Sequence, residues 1–118
     1  MAKLSLLPLN NIDGFIATAL VDSTSGLALA TAGGGIDLDL AAAGNTEVLR
    51  AKIKTAKALK LDDSPEDMLI TLGRQYHLLR PLDRNPDLFL YLVLDRQKSN
   101  LAMARHELKS FEKELDFS

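Results

Sequence analysis

Blocks of apolar residues separated by short polar punctuation run along most of the chain. Phe15 to Val21 is apolar and closes on Asp22-Ser23-Thr24-Ser25-Gly26, after which Leu27 to Ala32 is apolar again. A turn cluster ending in a glycine that can take positive φ predicts an antiparallel hairpin. Met68 to Leu72, the tight connection Gly73-Arg74, and Gln75 to Leu82 predict a second hairpin. A loop marked by Pro81 and Pro86 leads into Leu88 to Leu94. There Leu88, Leu90, Leu92 and Leu94 form one alternating set, and Phe89, Tyr91 and Val93 the other. A strand apolar on both faces is covered on both faces.

Two segments have helical period. In the last one, Leu101, Ala104, Leu108, Phe111 and Leu115 recur at spacings of three and four, with Lys98, Arg105, Lys109, Glu112, Lys113 and Glu114 elsewhere around the axis. That predicts a surface helix with one buried side. The middle segment, from about Asp39 to Lys60, carries more apolar surface than one contact requires. One stripe, Ala42, Thr46, Leu49, Ile53 and Ala56, suits packing on a sheet. A second, Ala41, Gly44, Val48, Ala51, Thr55 and Ala58, consists almost wholly of small residues. Together they cover an arc of about 220°, leaving Glu47, Arg50, Lys54 and Lys57 on the polar side. A helix on a sheet needs roughly 100°. Small residues at three/four spacing let another backbone approach, so the surplus predicts helix-to-helix packing, most simply with a second copy of the chain. Packing of the final helix on that stripe, or alanines placed for helix propensity alone, are the alternatives.

The expected order is hairpin, helix, hairpin plus one strand, helix. The fold class is α+β: a five-stranded antiparallel sheet between the middle helix on one face and the C-terminal helix on the other. The first and fifth strands are the most apolar and belong in the centre, leaving the second and third as edges. Met68 to Leu72 is then a short, uncharged edge, a pairing hazard unless something pairs with it. A twofold copy pairs it and buries the small-residue stripe together.

Composition narrows the function classes. The chain has 118 residues, 47% hydrophobic and 5% aromatic, with 14 Lys plus Arg, 16 Asp plus Glu and no cysteine. Even composition and the absence of a repeat or linker predict one domain, 1–118, large enough to bury its own core. Without cysteine there is neither a disulfide scaffold nor a thiolate zinc site. Near-balanced charge gives no footprint for nucleic acid, and the longest apolar run falls far short of the roughly 20 residues that span a bilayer. Leu4 to Leu9 is broken by Ser5 and Pro8 and leads to no small-residue cleavage site. These features predict a cytoplasmic protein.

Catalytic chemistry is thinly represented. His77 lies in a predicted strand and reads as a sheet residue beside Tyr76 and Leu79; His106 lies between Arg105 and Glu107 on the last helix and reads as solvated. Their separation matches no metal-pair spacing. Gly33-Gly34-Gly35 precedes a helix as a phosphate cradle does. No Lys-Ser or Lys-Thr follows it, however, and Asp37 and Asp39 stand where an anion would sit, so it reads as a connector before a capped helix. The carboxylates Asp62, Asp63, Glu66 and Asp67 around Pro65 read as a solvated loop without EF-hand spacing. No metal, cofactor or catalytic set is expected. Arg50, Lys52, Lys54, Lys57 and Lys60 against Glu47 make the one local charge asymmetry. Without interleaved aromatics it suits an acidic protein surface, with Arg50, Lys54 and Lys57 the candidate contacts.

The sequence resembles the roadblock/LC7 family, small domains of dynein light chains, bacterial regulators of Ras-like GTPases and lysosomal scaffold subunits. The resemblance is carried by Ala19 to Ala30 with its Val-Asp-x-x-x-Gly-Leu turn, by Asp37 to Lys52, by Asp67 to Leu72 with Gln75 to Arg80, and by Leu88 to Asp95 followed by Asn100 to Arg105. The Ala43-Gly44-Asn45 block looks like that of stand-alone bacterial members. Longin and profilin-like domains share part of the element pattern. The resemblance implies a homodimer formed through the middle helix and the third strand, here Met68, Leu69, Ile70, Thr71 and Leu72. It also implies a non-enzymatic platform for a small GTPase or a multiprotein signalling complex, and some bacterial relatives stimulate GTP hydrolysis by reshaping the GTPase's own site. The family's N-terminal helix is not expected in full, because Pro8 interrupts Leu4 to Asn11. A small-molecule sensing or carrier domain, with its ligand between sheet and helix, is the alternative function.

Overall fold

The computed structural model describes residues 4–115; 1–3 and 116–118, the ends of the expected unit, lie outside the described residues. A 3-10 turn, Leu7–Asn11, precedes β1 (Phe15–Asp22), β2 (Leu27–Gly33), α1 (Leu38–Ala58), β3 (Met68–Thr71), β4 (Gln75–Pro81), β5 (Leu88–Asp95) and α2 (Leu101–Glu112). The strands form one antiparallel sheet in the order β2-β1-β5-β4-β3. The expected α+β architecture is present, with β5 and β1 inside and β2 and β3 at the edges.

The two alternating sets of β5 divide the core. Leu88, Leu90, Leu92 and Leu94 pack with Ala104, Leu108, Phe111 and Leu115, and with Leu6, Leu9 and Ile12 around the 3-10 turn. Phe89, Tyr91 and Val93 pack with Ala17, Ala19 and Val21 of β1 under Ala42 and Leu49 of α1. The helices therefore lie on opposite faces, and α2 does not reach the second stripe of α1.

Local chemistry fixes the turns and ends. In the β1–β2 turn the Asp22 carboxylate accepts from Thr24 N (2.9 Å), Thr24 Oγ1 (2.7 Å) and Ser25 Oγ (3.1 Å), and Gly26 takes φ +78°. Those bonds, Thr24's foremost, hold the Asp22 carboxyl below its ordinary pKa. Gly33, at φ +81°, has the Ile16 carbonyl 2.3 Å from where a Cβ would stand, so both its dihedral and its closeness to β1 demand glycine. Asp37 caps α1 by accepting from Leu40 N at 3.0 Å. At the other end Lys60 N donates to Lys57 O and Leu61 N to Ala56 O, both at 3.0 Å, with Lys60 at φ +58°. That is a Schellman closure with lysine where glycine is usual. The 3-10 turn carries Pro8 at its start, and no full helix forms there.

The C-terminal segment departs from the sequence expectation in two ways. Its stripe continues to Leu115, which is buried, but regular helix stops at Glu112. Arg84 ends it by donating to the carbonyls of Glu112 (3.0 Å) and Leu115 (2.8 Å). Glu112, expected on the polar side, is buried because Arg80 of β4 is buried opposite it. Arg80 Nε meets Glu112 Oε1 at 3.2 Å, and Asp83 N donates to Oε2 at 2.9 Å. The ion pair satisfies two charges that neither element could bury alone.

Candidate self-association surface

Helix α1 runs closest to β1 and β2, while its Ile53 and Ala56 reach the β4–β3 side, where Leu79 of β4 is buried in the same core as Leu49 and only a narrow strip stays half-buried. Met68 and Ile70 of β3 and His77 of β4 are only half-buried there. The first stripe of α1 faces the sheet as expected: Ala42, Thr46, Leu49 and Ala56 are buried and Ile53 half-buried. Of the second stripe, Ala41 is half-buried, while Gly44, Val48, Ala51, Thr55 and Ala58 are exposed, Val48 to 40%. Neighbouring side chains fix the direction of that stripe. Asn45 lies beside the Tyr91 hydroxyl of β5, and Lys52 lines a cavity of about 240 Å³ with Met68 of β3. The small residues therefore flank the half-buried strip.

β3 pairs with β4 alone, and its outer edge is open. Leu69 packs on the α2 side, Met68 and Ile70 on the α1 side, and Thr71 and Leu72 are exposed. The structure thus brings the eleven expected contact residues, Ala41, Gly44, Val48, Ala51, Thr55, Ala58 and Met68 through Leu72, to one side of the molecule. Arg50, Lys54 and Lys57 stand on the far side of α1. Arg50 donates to the carbonyls of Ser23 and Thr24 and lies 3.6 Å from Glu47, so it clamps the β1–β2 turn as well as carrying charge.

A polar chain inside this strip went unread in the sequence. His77 Nε2 lies 2.9 Å from Gln75 Oε1, and the Tyr91 hydroxyl 3.0 Å from His77 Nδ1, the two rings meeting edge to face at 5.5 Å. Tyr76, the expected neighbour of His77, turns to the other face, where Arg96 stacks on its ring. Burial lowers the His77 pKa from 6.5 and raises that of Tyr91. The available signal was Tyr91, the one hydroxyl in an otherwise hydrocarbon strand; pairing it with His77 required the β4–β5 register.

His106 lies on the other face, beside a cavity of about 490 Å³ between the 3-10 turn and α2. The cavities of about 240 and 180 Å³ beside α1 are smaller than the roughly 300 Å³ at which small-molecule sites begin. Among the described residues no three His, Asp or Glu side chains gather as a metal site would require, and no helix is long and apolar enough to cross a membrane.

This architecture is a roadblock/LC7-like fold. Neither a protein-family model nor a curated protein matches the sequence. Solved structures do. A roadblock/LC7 domain from Streptomyces avermitilis superposes with a TM-score of 0.78 at 13% identity, over 90% of this chain and 86% of that one. The gliding protein MglB of Thermus thermophilus gives 0.76 at 20% identity, over 91% and 79%. Myxococcus xanthus MglB gives 0.74 at 18%, over 85% and 79%. At such identities the likeness is one of fold.

Proposed function

We propose that residues 1–118 form a single cytoplasmic regulatory or scaffolding module, non-enzymatic and homodimeric, that binds a small Ras-like GTPase or a multiprotein signalling complex. The observation that carries this reading is the half-buried strip of Met68, Ile70 and His77, bordered by an exposed small-residue helix face and an open strand edge. One twofold copy covers all three: α1 lies against its counterpart along Ala41, Gly44, Val48, Ala51, Thr55 and Ala58, and Met68–Leu72 pairs edge to edge, extending the sheet across both chains. The polar sides of the two α1 helices then face outward and present Arg50, Lys54 and Lys57 twice over to an acidic partner surface. The fold shared with MglB supports a GTPase-associated role, in which the module modulates GTP hydrolysis by its partner.

The test has two arms. Val48→Asp and Ala51→Glu alter exposed positions, so they leave the monomer folded and convert the dimer to monomer in sedimentation. A dimer indifferent to both removes this interface. In the second arm, candidate Ras-like GTPases are assayed for binding and nucleotide turnover with the wild-type chain and with Lys54→Glu/Lys57→Glu. Binding weakened about tenfold or more by the double variant supports the basic face, since close interfacial charge pairs are worth on the order of 1.5 kcal/mol or more. Binding unaffected by it excludes that face.

A further inference from the structure

We infer that self-association of this chain is proton-linked through His77, with the dimer favoured when the imidazole is neutral and weakened as it protonates. The inference rests on the dimer reading above and on the direction of hydrogen bonds in the polar chain between α1 and the sheet.

Each group in that chain has a defined role. The Asn45 carboxamide donates to Ala41 O at 2.8 Å and lies beside the Tyr91 hydroxyl. Gln75 offers an oxygen to His77 Nε2. Nε2 therefore carries the proton in the neutral ring, leaving Nδ1 to accept from the Tyr91 hydroxyl. The result is a relay: Tyr91 proton to His77 Nδ1, His77 Nε2 proton to Gln75. Protonating Nδ1 reverses the first link. Tyr91 must then accept from His77, and its own proton loses its acceptor in a residue that is 1% exposed. An orphaned buried donor is costly.

Nothing nearby offsets the imidazolium charge. β3, opposite at Ile70, contributes no charged side chain along Met68–Thr71. β5 contributes Tyr91 and Val93, and Asp95 lies across from Gln75 with its carboxylate accepting from Gln97 N. From α1 the cation on this side is Lys52, beside Asp63 and Asp67 at the far end of the strip. No carboxylate hydrogen-bonds the ring. In the dimer the second copy covers what solvent His77 still sees. Coverage removes water from the imidazolium, so the neutral ring is bound more tightly than the protonated one.

The sign follows from linkage. Association lowers the His77 pKa below its value in the free folded chain, itself below 6.5, so the dimer is at full strength at neutral pH and loses affinity as pH falls through the free chain's lowered His77 pKa. Sedimentation equilibrium at pH 7.5 and 5.5 reads this directly. With two histidines per dimer, the wild-type dissociation constant rises about tenfold or more at the lower pH, and that of His77→Gln, which cannot protonate, stays nearly flat. A wild-type dimer equally tight at both values, or a His77→Gln dimer with the full pH dependence, overturns the inference. A chain monomeric at both values overturns self-association itself. An NMR titration of the His77 ring, in wild type and in the Val48→Asp monomer, needs no His77 variant to fold. A lower pKa in the dimer supports the linkage and equal values refute it.

Discussion

Gly33, Lys60 and the Arg80–Glu112 pair show how single residues set the terms for larger elements. A methyl group at Gly33 meets the Ile16 carbonyl and the Ala17 Cα while forcing a left-handed φ on a residue with a Cβ. Gly33→Ala is expected to destabilise the fold by about 2–4 kcal/mol, the range of changes that combine strain with a core clash, and urea unfolding checks it. Lys60 carries the opposite opportunity: it occupies the left-handed position of a Schellman closure, and Lys60→Gly should stabilise by about 1 kcal/mol. Glu112→Ala leaves Arg80 buried with only exposed Asp83 and Glu66 nearby, and costs about 3 kcal/mol. The first turn and the cap of α1 were legible from sequence because their chemistry is local: Gly26 and Asp37 do what their types do anywhere. Arg80 with Glu112, and His77 with Tyr91, were not, since each pair joins residues from different elements and depends on a register that periodicity does not fix.

Among the elements, α1 is the one whose sequence over-specifies its surroundings. Ala42, Thr46, Leu49, Ile53 and Ala56 form its sheet-facing stripe, and Leu49→Ala should cost about 2–4 kcal/mol in monomer stability, as truncation of a fully buried leucine does. Val48→Asp, one residue away, should leave monomer unfolding nearly unchanged, because Val48 faces solvent in the single chain. That contrast, measured in a monomeric background, separates the two stripes experimentally. The stripes were legible because a 3.6-residue period assigns every position to a direction; which direction met the sheet followed from the larger side chains. The ends of α2 were less so: the stripe runs on to Leu115 while regular helix stops at Glu112, since Arg84, distant in sequence, takes the last carbonyls.

For the whole molecule, the order β2-β1-β5-β4-β3 and the closer approach of α1 to β1 and β2 leave a strip at Met68, Ile70 and His77 that the chain covers only in part. The same strip holds the open edge of β3, the small-residue face of α1 and the His77–Tyr91 relay. Acidification therefore acts on the monomer as well: His77 is neutral in the folded chain with its pKa below 6.5, so stability is complete above that value and declines as pH falls beneath it. The decline should be smaller in His77→Gln, as thermal melts at pH 7.5 and 5.5 can show. The central claim is that a second copy covers the strip, and sedimentation equilibrium of the unaltered chain at pH 7.5 tests it most directly. The account predicts a mass of twice 12.9 kDa across the micromolar range; a mass of 12.9 kDa throughout that range contradicts it.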